Sequence, residues 1–336
     1  MGVYHFMGLG RSPGAVTAAI SYLSARYQRY DARDSEFFGG SGELAQQDKR
    51  GDVQALIFFT TPEVIRGEET PECGLSLDYV DNLAGRVRGG LHQDRERMGP
   101  LLGGVLPGEL RGVCGGRREV GLYWCQIDRT DPYLTFERAA RVMHATKPPG
   151  EIGKEIWINL TGGTNVVNIA LQLAAALLGR PARLYYLLSE DARCLRHTTP
   201  PTDLGAERDR FWVEIPAIYL GLDASAASLL EVLEQAPQPL ADDELLSSLK
   251  SHPTQWGAFQ SMDLQAFRHS YLLPMRGNHL VVQVDEHVVA VGGGWRTLKR
   301  YYEIVADLRR PGSAAESSLG ALLSNRDWFH RDAIHL

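Results

Sequence analysis

The first two thirds of the chain alternate short apolar runs with helix-like stretches. Five apolar runs are predicted to be strands; they lie at residues 3–7, 54–60, 120–127, 155–160 and 183–188. The run at 54–60 shows no period-two alternation, which predicts a strand buried on both faces. Apolar positions at helical spacing predict intervening helices at residues 15–27, 77–87, 134–144 and 166–178. Strands alternating with helices are typical of a parallel sheet covered on both faces. We therefore predict a Rossmann-like, doubly wound α/β domain over residues 1–215.

The pattern changes after about residue 215. Three helices are predicted, followed by two short β-rich runs and a closing helix; they lie at residues 225–235, 242–249, 261–271, 279–284, 287–291 and 295–308. Three helices and a hairpin match a small winged helix-turn-helix-like α+β domain, which we predict over residues 216–310. Residues 311–336 mix Ser, Gly, Ala and charge and are predicted to be a partly mobile tail. Residues 89–118, rich in Gly and Arg, are predicted to be a long surface loop.

Composition and charge narrow the cellular location and the kinds of ligand that we expect for this protein. The chain has 336 residues and a net charge of −6, which disfavours broad binding to nucleic-acid backbones. The four cysteines show no CxxC spacing, which predicts free thiols in a reducing cytosol and no metal site. Asn168 and Gln172 interrupt the longest apolar run, so no membrane span is predicted. The N-terminus shows no signal-peptide pattern, which predicts a cytoplasmic protein. We expect neither a metal nor a cofactor.

Two glycine-containing turns follow two of the predicted strands and precede helices. The first glycine turn, residues 8–14, reads GLGRSPG, and the second glycine turn, residues 161–165, reads TGGTN. Glycines allow a ligand to approach the backbone closely, and the free N–H groups of a new helix favour an anion such as phosphate. Ligands of a doubly wound sheet bind beyond the carboxyl ends of its strands. The predicted binding residues are Gly8, Leu9, Gly10, Arg11, Ser12, Pro13, Thr161, Gly162, Gly163, Thr164, Asn165 and Asn168.

Several common site patterns do not fit these turns. Neither turn contains the GK[ST] of a phosphate-binding Walker A loop. The first turn departs from GxGxxG because Pro13 occupies the third glycine position and Gly14 follows one residue late. Residues 10–14 match the letters GxSxG, but Pro13 lacks the N–H that an oxyanion hole needs. A nucleotide or sugar phosphate is therefore a better fit than a nicotinamide or an acyl group.

With LTGGTN after one strand and GLGRSPGAVT after the first, residues 1–215 resemble the CRISPR-associated Rossmann-fold (CARF) family. The winged-helix-like segment that follows is similar to the architecture of CARF–winged-helix regulators and ring nucleases. The resemblance implies a homodimer that binds a cyclic oligoadenylate across its two-fold axis, with cyclic tetra-adenylate favoured and cyclic hexa-adenylate as the other ring. The dipoles and N–H groups of helix starts would offset the phosphate charge without a basic protein.

The resemblance also implies a catalytic role for some of these residues. The family pattern often has Lys after GGT, where this chain has Asn165, which carries no charge. Arg11 is the candidate to supply the charge instead, and Ser12 to position the ribose. Cleavage would need no metal, because a ribose 2′-OH attacks its own 3′-phosphate and the protein positions and neutralises it. Binding without cleavage is the equal alternative.

Other functions remain open at this stage. Arg86 and His92, and also Arg138 and His144, show the loose R-x₅-H spacing of HEPN ribonucleases, a spacing that chance produces easily. Residues 225–310 hold 8 Lys and Arg against 10 Asp and Glu, so DNA binding is possible but not favoured. The alternatives are a cyclic-oligoadenylate-controlled transcriptional regulator, a sensor without catalysis, and an unrelated nucleotide- or sugar-phosphate-binding enzyme.

Overall fold

A computed structural model describes most of the chain as two compact units. The described residues are 2–10, 14–28, 52–66, 102, 106–148, 154–187, 212–216, 222, 224–251, 258–309 and 318–336. Unit 1 comprises Met1–Tyr219 together with Arg310–Leu336, and unit 2 comprises Leu220–Arg309. Within these residues, no helix is both long enough and apolar enough to cross a lipid bilayer.

Unit 1 contains strands and helices in regular alternation. Numbered along the whole chain, its elements are β1 (Gly2–Gly8), α1 (Gly14–Gln28), β2 (Val53–Thr60), α2 (Pro62–Arg66), β3 (Glu119–Gln126), α3 (Pro132–Thr146), β4 (Lys154–Asn159), α4 (Asn165–Leu178), β5 (Arg183–Leu187), β6 (Trp212–Ile215), α10 (Leu319–Asn325) and β10 (Phe329–His335). The strands at the centre are apolar because both of their faces are covered: all seven residues of β1 are buried.

The strands form one seven-stranded sheet in the order β10-β3-β2-β1-β4-β5-β6. Strands β1 to β5 pair in parallel, whereas β6 and β10 are antiparallel edge strands. From β1 the chain proceeds to β2 on one side, and from β4 to β5 on the other. Right-handed crossovers in opposite directions place α1 and α4 on opposite faces. The α/β prediction for this region is confirmed, and the strand order reverses between β1 and β4.

The structure differs from two expectations for unit 1. In the described part of the predicted surface loop over residues 89–118, residues 106–110 form a short helix and Leu102, Leu106 and Leu110 lie in the core, whereas residues 111, 112, 115, 116 and 118 are exposed. Their i, i+4, i+8 spacing is a helical apolar stripe hidden among glycines and arginines. The predicted tail over residues 311–336 contains α10 and β10, and β10 pairs along the whole of β3. The predicted helix over residues 77–87 lies outside the described residues.

Unit 2 has its own core and a small sheet. Its elements are α5 (Ala224–Gln235), β7 (Leu240–Ala241), α6 (Asp242–Ser251), α7 (Leu264–Phe267), a π-helical turn (Arg268–Leu272), α8 (Leu273–Gly277), β8 (Val281–Asp285), β9 (Val288–Val291) and α9 (Gly293–Arg309). The strand order is β7-β9-β8. The chain therefore runs helix, strand, helix, helix, strand, strand, and the π-helical turn joins α7 and α8 into one interrupted helix.

Candidate ligand-binding site

The two glycine turns touch each other at the carboxyl edge of the sheet. Strands β1 and β4 are parallel neighbours, so both turns leave the sheet at the same place. A Cβ atom added to Gly8 would lie 2.6 Å from the carbonyl oxygen of Gly162, and one added to Gly162 would lie 2.5 Å from that of Gly8. Both distances are far below van der Waals contact, so this backbone-to-backbone approach requires glycine on each side.

Gly163 completes the contact and presents its backbone to solvent. Its φ of 82° lies in the left-handed region, and an added Cβ would lie 2.7 Å from the Cα of Gly8. Gly163 is exposed, whereas Gly162 is buried. The second glycine turn is thus packed on its inner side and open on its outer side. The meeting point lies where the strand order reverses, which is where ligands bind in open α/β sheets.

Asn159, the last residue of β4, joins the second glycine turn to the start of α1 through its side chain. Its amide nitrogen Nδ2 donates to the carbonyl oxygen of Ala15 at the start of α1, at 3.1 Å. Its Oδ1 accepts from the backbone N–H of Thr161 at 2.8 Å. The side chain is 1% exposed. Our sequence interpretation missed this residue, and the signal was an amide side chain inside the otherwise apolar run IWINL.

Thr161 and Asn168 hold the second glycine turn against the strands. The hydroxyl oxygen of Thr161 accepts from the backbone N–H of Leu187 at 2.8 Å, which ties the turn to the end of β5. The Nδ2 of Asn168 donates to the Leu160 carbonyl oxygen at 3.0 Å. The buried Oδ1 of Asn168 has no hydrogen-bond partner within the described part of the chain. Both side chains therefore support the turn from beneath.

The start of α4 is the exposed part of the site. Thr164 caps the helix, its hydroxyl oxygen accepting from the N–H of Val167 at 3.4 Å. Gly163, Thr164 and Asn165 are exposed, and neither α1 nor α4 has an acidic residue in its first turn. Helices elsewhere in the chain use aspartate at this end, with Asp131 capping α3 and Asp263 capping α7. The positive, N-terminal end of the α4 helix dipole thus has no negative side chain in its first turn.

The first glycine turn is only partly described. Leu9 is buried, and its N–H donates to the carbonyl oxygen of Phe59 at 3.0 Å, so its carbonyl is the backbone group that it can offer a ligand. A Cβ atom added to Gly10 would lie 3.9 Å from the Cα of Gly163. The remaining predicted site residues, Arg11, Ser12 and Pro13, lie outside the described residues.

The second R-x₅-H pair is part of the scaffold of unit 1. The Arg138 guanidinium donates to the carbonyl oxygen of Gln126 at 2.5 Å and stacks over the Trp328 ring at 5.1 Å. His144 is buried, 4% exposed. This arrangement explains the spacing as packing between α3 and its neighbours. Arg86 and His92 lie outside the described residues.

The chain is similar to a known protein over part of its length. No protein-family model matches the chain. An uncharacterized protein of Archaeoglobus fulgidus is 28% identical over 205 residues, which is 57% of this chain and 58% of that protein. The chain therefore spans less than two thirds of the length of this curated relative. A similarity of this extent indicates a common ancestry for part of the chain and carries no statement of activity.

Proposed function

We propose that the protein binds a cyclic oligoadenylate at the two glycine turns, as a CARF-type accessory protein of a type III CRISPR system. The observation that carries this proposal is the backbone contact between Gly8 and the pair Gly162 and Gly163, at the point where the strand order reverses. This contact brings both motifs of the CARF-like pattern into one site. The strand order and the capped, uncharged start of α4 further support a ligand that carries phosphate.

The electrostatics of the site suit an anion in a protein that is acidic overall. The net charge of −6 provides no general attraction for phosphate. The N–H groups at the start of a 14-residue helix, with no acidic side chain in the first turn, provide a local one. A single phosphate of a ring held at this point would gain hydrogen bonds without a lysine or a metal.

Two chains would share the ligand in the proposed assembly, a cytoplasmic homodimer. Ile169 of α4, which is 61% exposed and lies one helical turn after Asn165, would lie beside the ligand in such an assembly. Cyclic tetra-adenylate is the favoured ring, and cyclic hexa-adenylate is the second candidate.

Cleavage of the ring is the catalytic form of the proposal. The 2′-oxygen of a ribose would attack its own 3′-phosphorus and displace the 5′-oxygen of the next nucleotide. The 2′-hydroxyl would lose its proton to solvent and the departing 5′-oxygen would take one up from solvent, so the products would be a 2′,3′-cyclic phosphate and a 5′-hydroxyl. Arg11 would neutralise the phosphate, Ser12 would orient the ribose, and Asn165 would donate a hydrogen bond. Without cleavage, the same residues make the protein a sensor.

Incubation with radiolabelled cyclic tetra- or hexa-adenylate in EDTA tests binding and cleavage together. We expect the ring to raise the melting temperature and to be retained on the protein. Linear products in EDTA would establish metal-free cleavage, and an intact retained ring would establish a sensor. The variant Asn165→Ala should weaken binding, whereas Gln172→Ala, also exposed on α4, should not. If neither ring changes the melting temperature, the proposal fails, and a nucleotide or sugar phosphate that does raise it would favour the unrelated enzyme.

For unit 2 we propose a winged-helix domain with a structural role. The order helix, strand, helix, helix, strand, strand and the sheet order β7-β9-β8 support this fold. The arginines of its third helix are engaged inside the unit: Arg268 lies 2.7 Å from Asp242, and Arg276 donates to Gln283 at 2.7 Å. Because recognition helices contact DNA with exposed cations, regulation of transcription is the weaker alternative. A gel shift with the protein's own promoter, with and without ligand, separates the two roles.

A further inference from the structure

Asn159 stands apart from the residues beneath the candidate site because its two hydrogen bonds go to different elements. Thr161 connects the second glycine turn to β5, and Asn168 connects α4 to Leu160, the residue before that turn. Asn159 instead connects the second glycine turn, through the Thr161 N–H, with the start of α1, through the Ala15 carbonyl oxygen. These two hydrogen bonds attach α1, the helix that follows the first glycine turn, to the second glycine turn.

We infer that Asn159 is a positioning residue that sets the start of α1 in register with the second glycine turn. Both functional ends of the amide are in use, since Nδ2 donates to one element and Oδ1 accepts from the other. With a side chain 1% exposed, Asn159 touches no ligand and acts through Ala15 and Thr161. The glycine contacts bring the turns together, but van der Waals contacts have no preferred direction and would allow one turn to shift along the other. A pair of directional hydrogen bonds adds a preferred geometry.

The chemistry of the amide makes this role specific to asparagine. Alanine removes both hydrogen bonds. Aspartate retains the acceptor for the Thr161 N–H but, as a carboxylate, has no proton to donate to the Ala15 carbonyl oxygen. We therefore expect Asn159→Ala to loosen both the second glycine turn and the start of α1, and Asn159→Asp to loosen only the start of α1. The two variants separate a coupling role from general loss of packing.

Amide hydrogen exchange of the unliganded protein at pH 8 tests the coupling. In Asn159→Ala, peptides covering residues 14–19 and residues 160–165 should both exchange roughly tenfold faster. In Asn159→Asp, only residues 14–19 should do so. The control Thr146→Val removes a buried hydroxyl that donates to the Val142 carbonyl oxygen in α3, and both peptides should stay as in the wild type. Unchanged exchange at residues 14–19 in both Asn159 variants would overturn the inference.

The consequence for ligand binding rests on the proposed function and has its own measurement. With radiolabelled cyclic tetra-adenylate, Asn159→Ala should raise Kd by about tenfold or more, while Thr146→Val stays within about twofold of the wild type. Equal Kd values for Asn159→Ala and the wild type would contradict the ligand effect. If the wild type itself binds neither cyclic tetra- nor hexa-adenylate, the proposed function fails, while the exchange experiment still decides the positioning role.

Discussion

Individual glycines at the carboxyl edge of the sheet are constrained by their neighbours. Gly8 does not have the positive φ that commonly requires glycine. It must be glycine because its Cα faces the backbone of the second glycine turn. Gly10, two residues later in the same turn, makes only an ordinary van der Waals contact with the described residues. Two glycines of one motif thus have different physical roles, and the sequence alone treats them alike.

Gly8→Ala should destabilise the protein by about 3 kcal/mol, because the new methyl group would overlap the Gly162 carbonyl oxygen and part the turns. Gly10→Ala is the matched control and should stay within about 0.5 kcal/mol of the wild type, since among the described residues its Cβ would come no nearer than 3.9 Å, to the Cα of Gly163. Urea unfolding of the two variants measures the difference. Equal stabilities would show that the backbone contact at Gly8 is not tight in solution.

His5 is a buried imidazole in the centre of β1. Its Nδ1 lies 3.1 Å from the Tyr185 hydroxyl, and its Nε2 has no hydrogen-bond partner in the part of the chain that the structure describes. Burial, with a smaller contribution from the charge of Arg183, lowers the pKa of His5 to about 3. The histidine is therefore neutral in the folded protein at any ordinary pH, and its environment contains the Trp157 ring at 5.4 Å.

Stability should fall in mild acid because of His5. In the unfolded chain the His5 imidazole has a pKa of about 6.5 and binds a proton below that pH, whereas in the folded protein it stays neutral. The free energy of unfolding is therefore highest above about pH 6.5 and declines below it. Between pH 7 and pH 5.5 the expected loss is about 1.2 kcal/mol. Urea unfolding at both pH values should show this loss in the wild type and in the exposed control His335→Gln, but not in His5→Phe. An identical pH dependence in His5→Phe would show that His5 is not the group responsible.

At the scale of elements, a buried carboxylate organises unit 2. Asp242 opens α6 and is 1% exposed. Its Oδ2 accepts from Arg268 in the π-helical turn at 2.7 Å, and its N–H donates to the His287 carbonyl oxygen at 2.8 Å in the turn between β8 and β9. One residue thus connects three elements that lie far apart in the chain. The arginine that it binds is also one that a DNA-contacting helix would have to expose.

Asp242→Ala should destabilise unit 2 by about 3 kcal/mol, because the Arg268 charge loses its partner in a partly buried place. The neighbouring Asp243→Ala removes an exposed carboxylate from the same helix turn and should cost less than about 0.5 kcal/mol. Thermal unfolding followed by circular dichroism compares the two. A small effect of Asp242→Ala would indicate that solvent replaces the carboxylate.

At the scale of the whole molecule, unit 1 is built from two separated parts of the chain. Strand β10 returns after unit 2 and covers the open edge of β3, where Asp332 accepts from the Trp124 indole N–H at 2.8 Å. Phe329 and Ile334 of β10 are buried. A boundary at residue 215, as the sequence pattern suggested, would therefore leave an unpaired strand edge.

Replacing unit 2 by a flexible Gly-Ser linker between residues 219 and 310 should leave a protein that unfolds in one cooperative transition. Truncation after residue 219 is the control: it removes β10, exposes the β3 edge, and should lower stability by about 3 kcal/mol or more and promote aggregation. Urea unfolding and light scattering compare the two. Equal behaviour of both proteins would mean that β10 contributes little to the sheet.

Much of the sheet could be predicted from the sequence because buried strands and helices have strong local signatures. The run at residues 155–160 and the helical pattern after Asn165 predicted β4 and α4 nearly at their observed bounds. The leucines at 102, 106 and 110 carried a helical signal too, but glycine and arginine content suggested a loop. The two turns of the candidate site were visible in the sequence, whereas Asn159 was missed because a single amide in a strand has no pattern.

The sequence by itself determined where strands become helices, because apolar periodicity, glycine and capping residues act over a few neighbours. Only the tertiary structure decided which turns meet, that Gly8 must be glycine, and that β10 belongs to the first sheet. The reason is physical: strand pairing and backbone contact join residues more than a hundred positions apart, and no local pattern encodes the partner. The same separation places Asn159 of β4 beside Ala15 of α1.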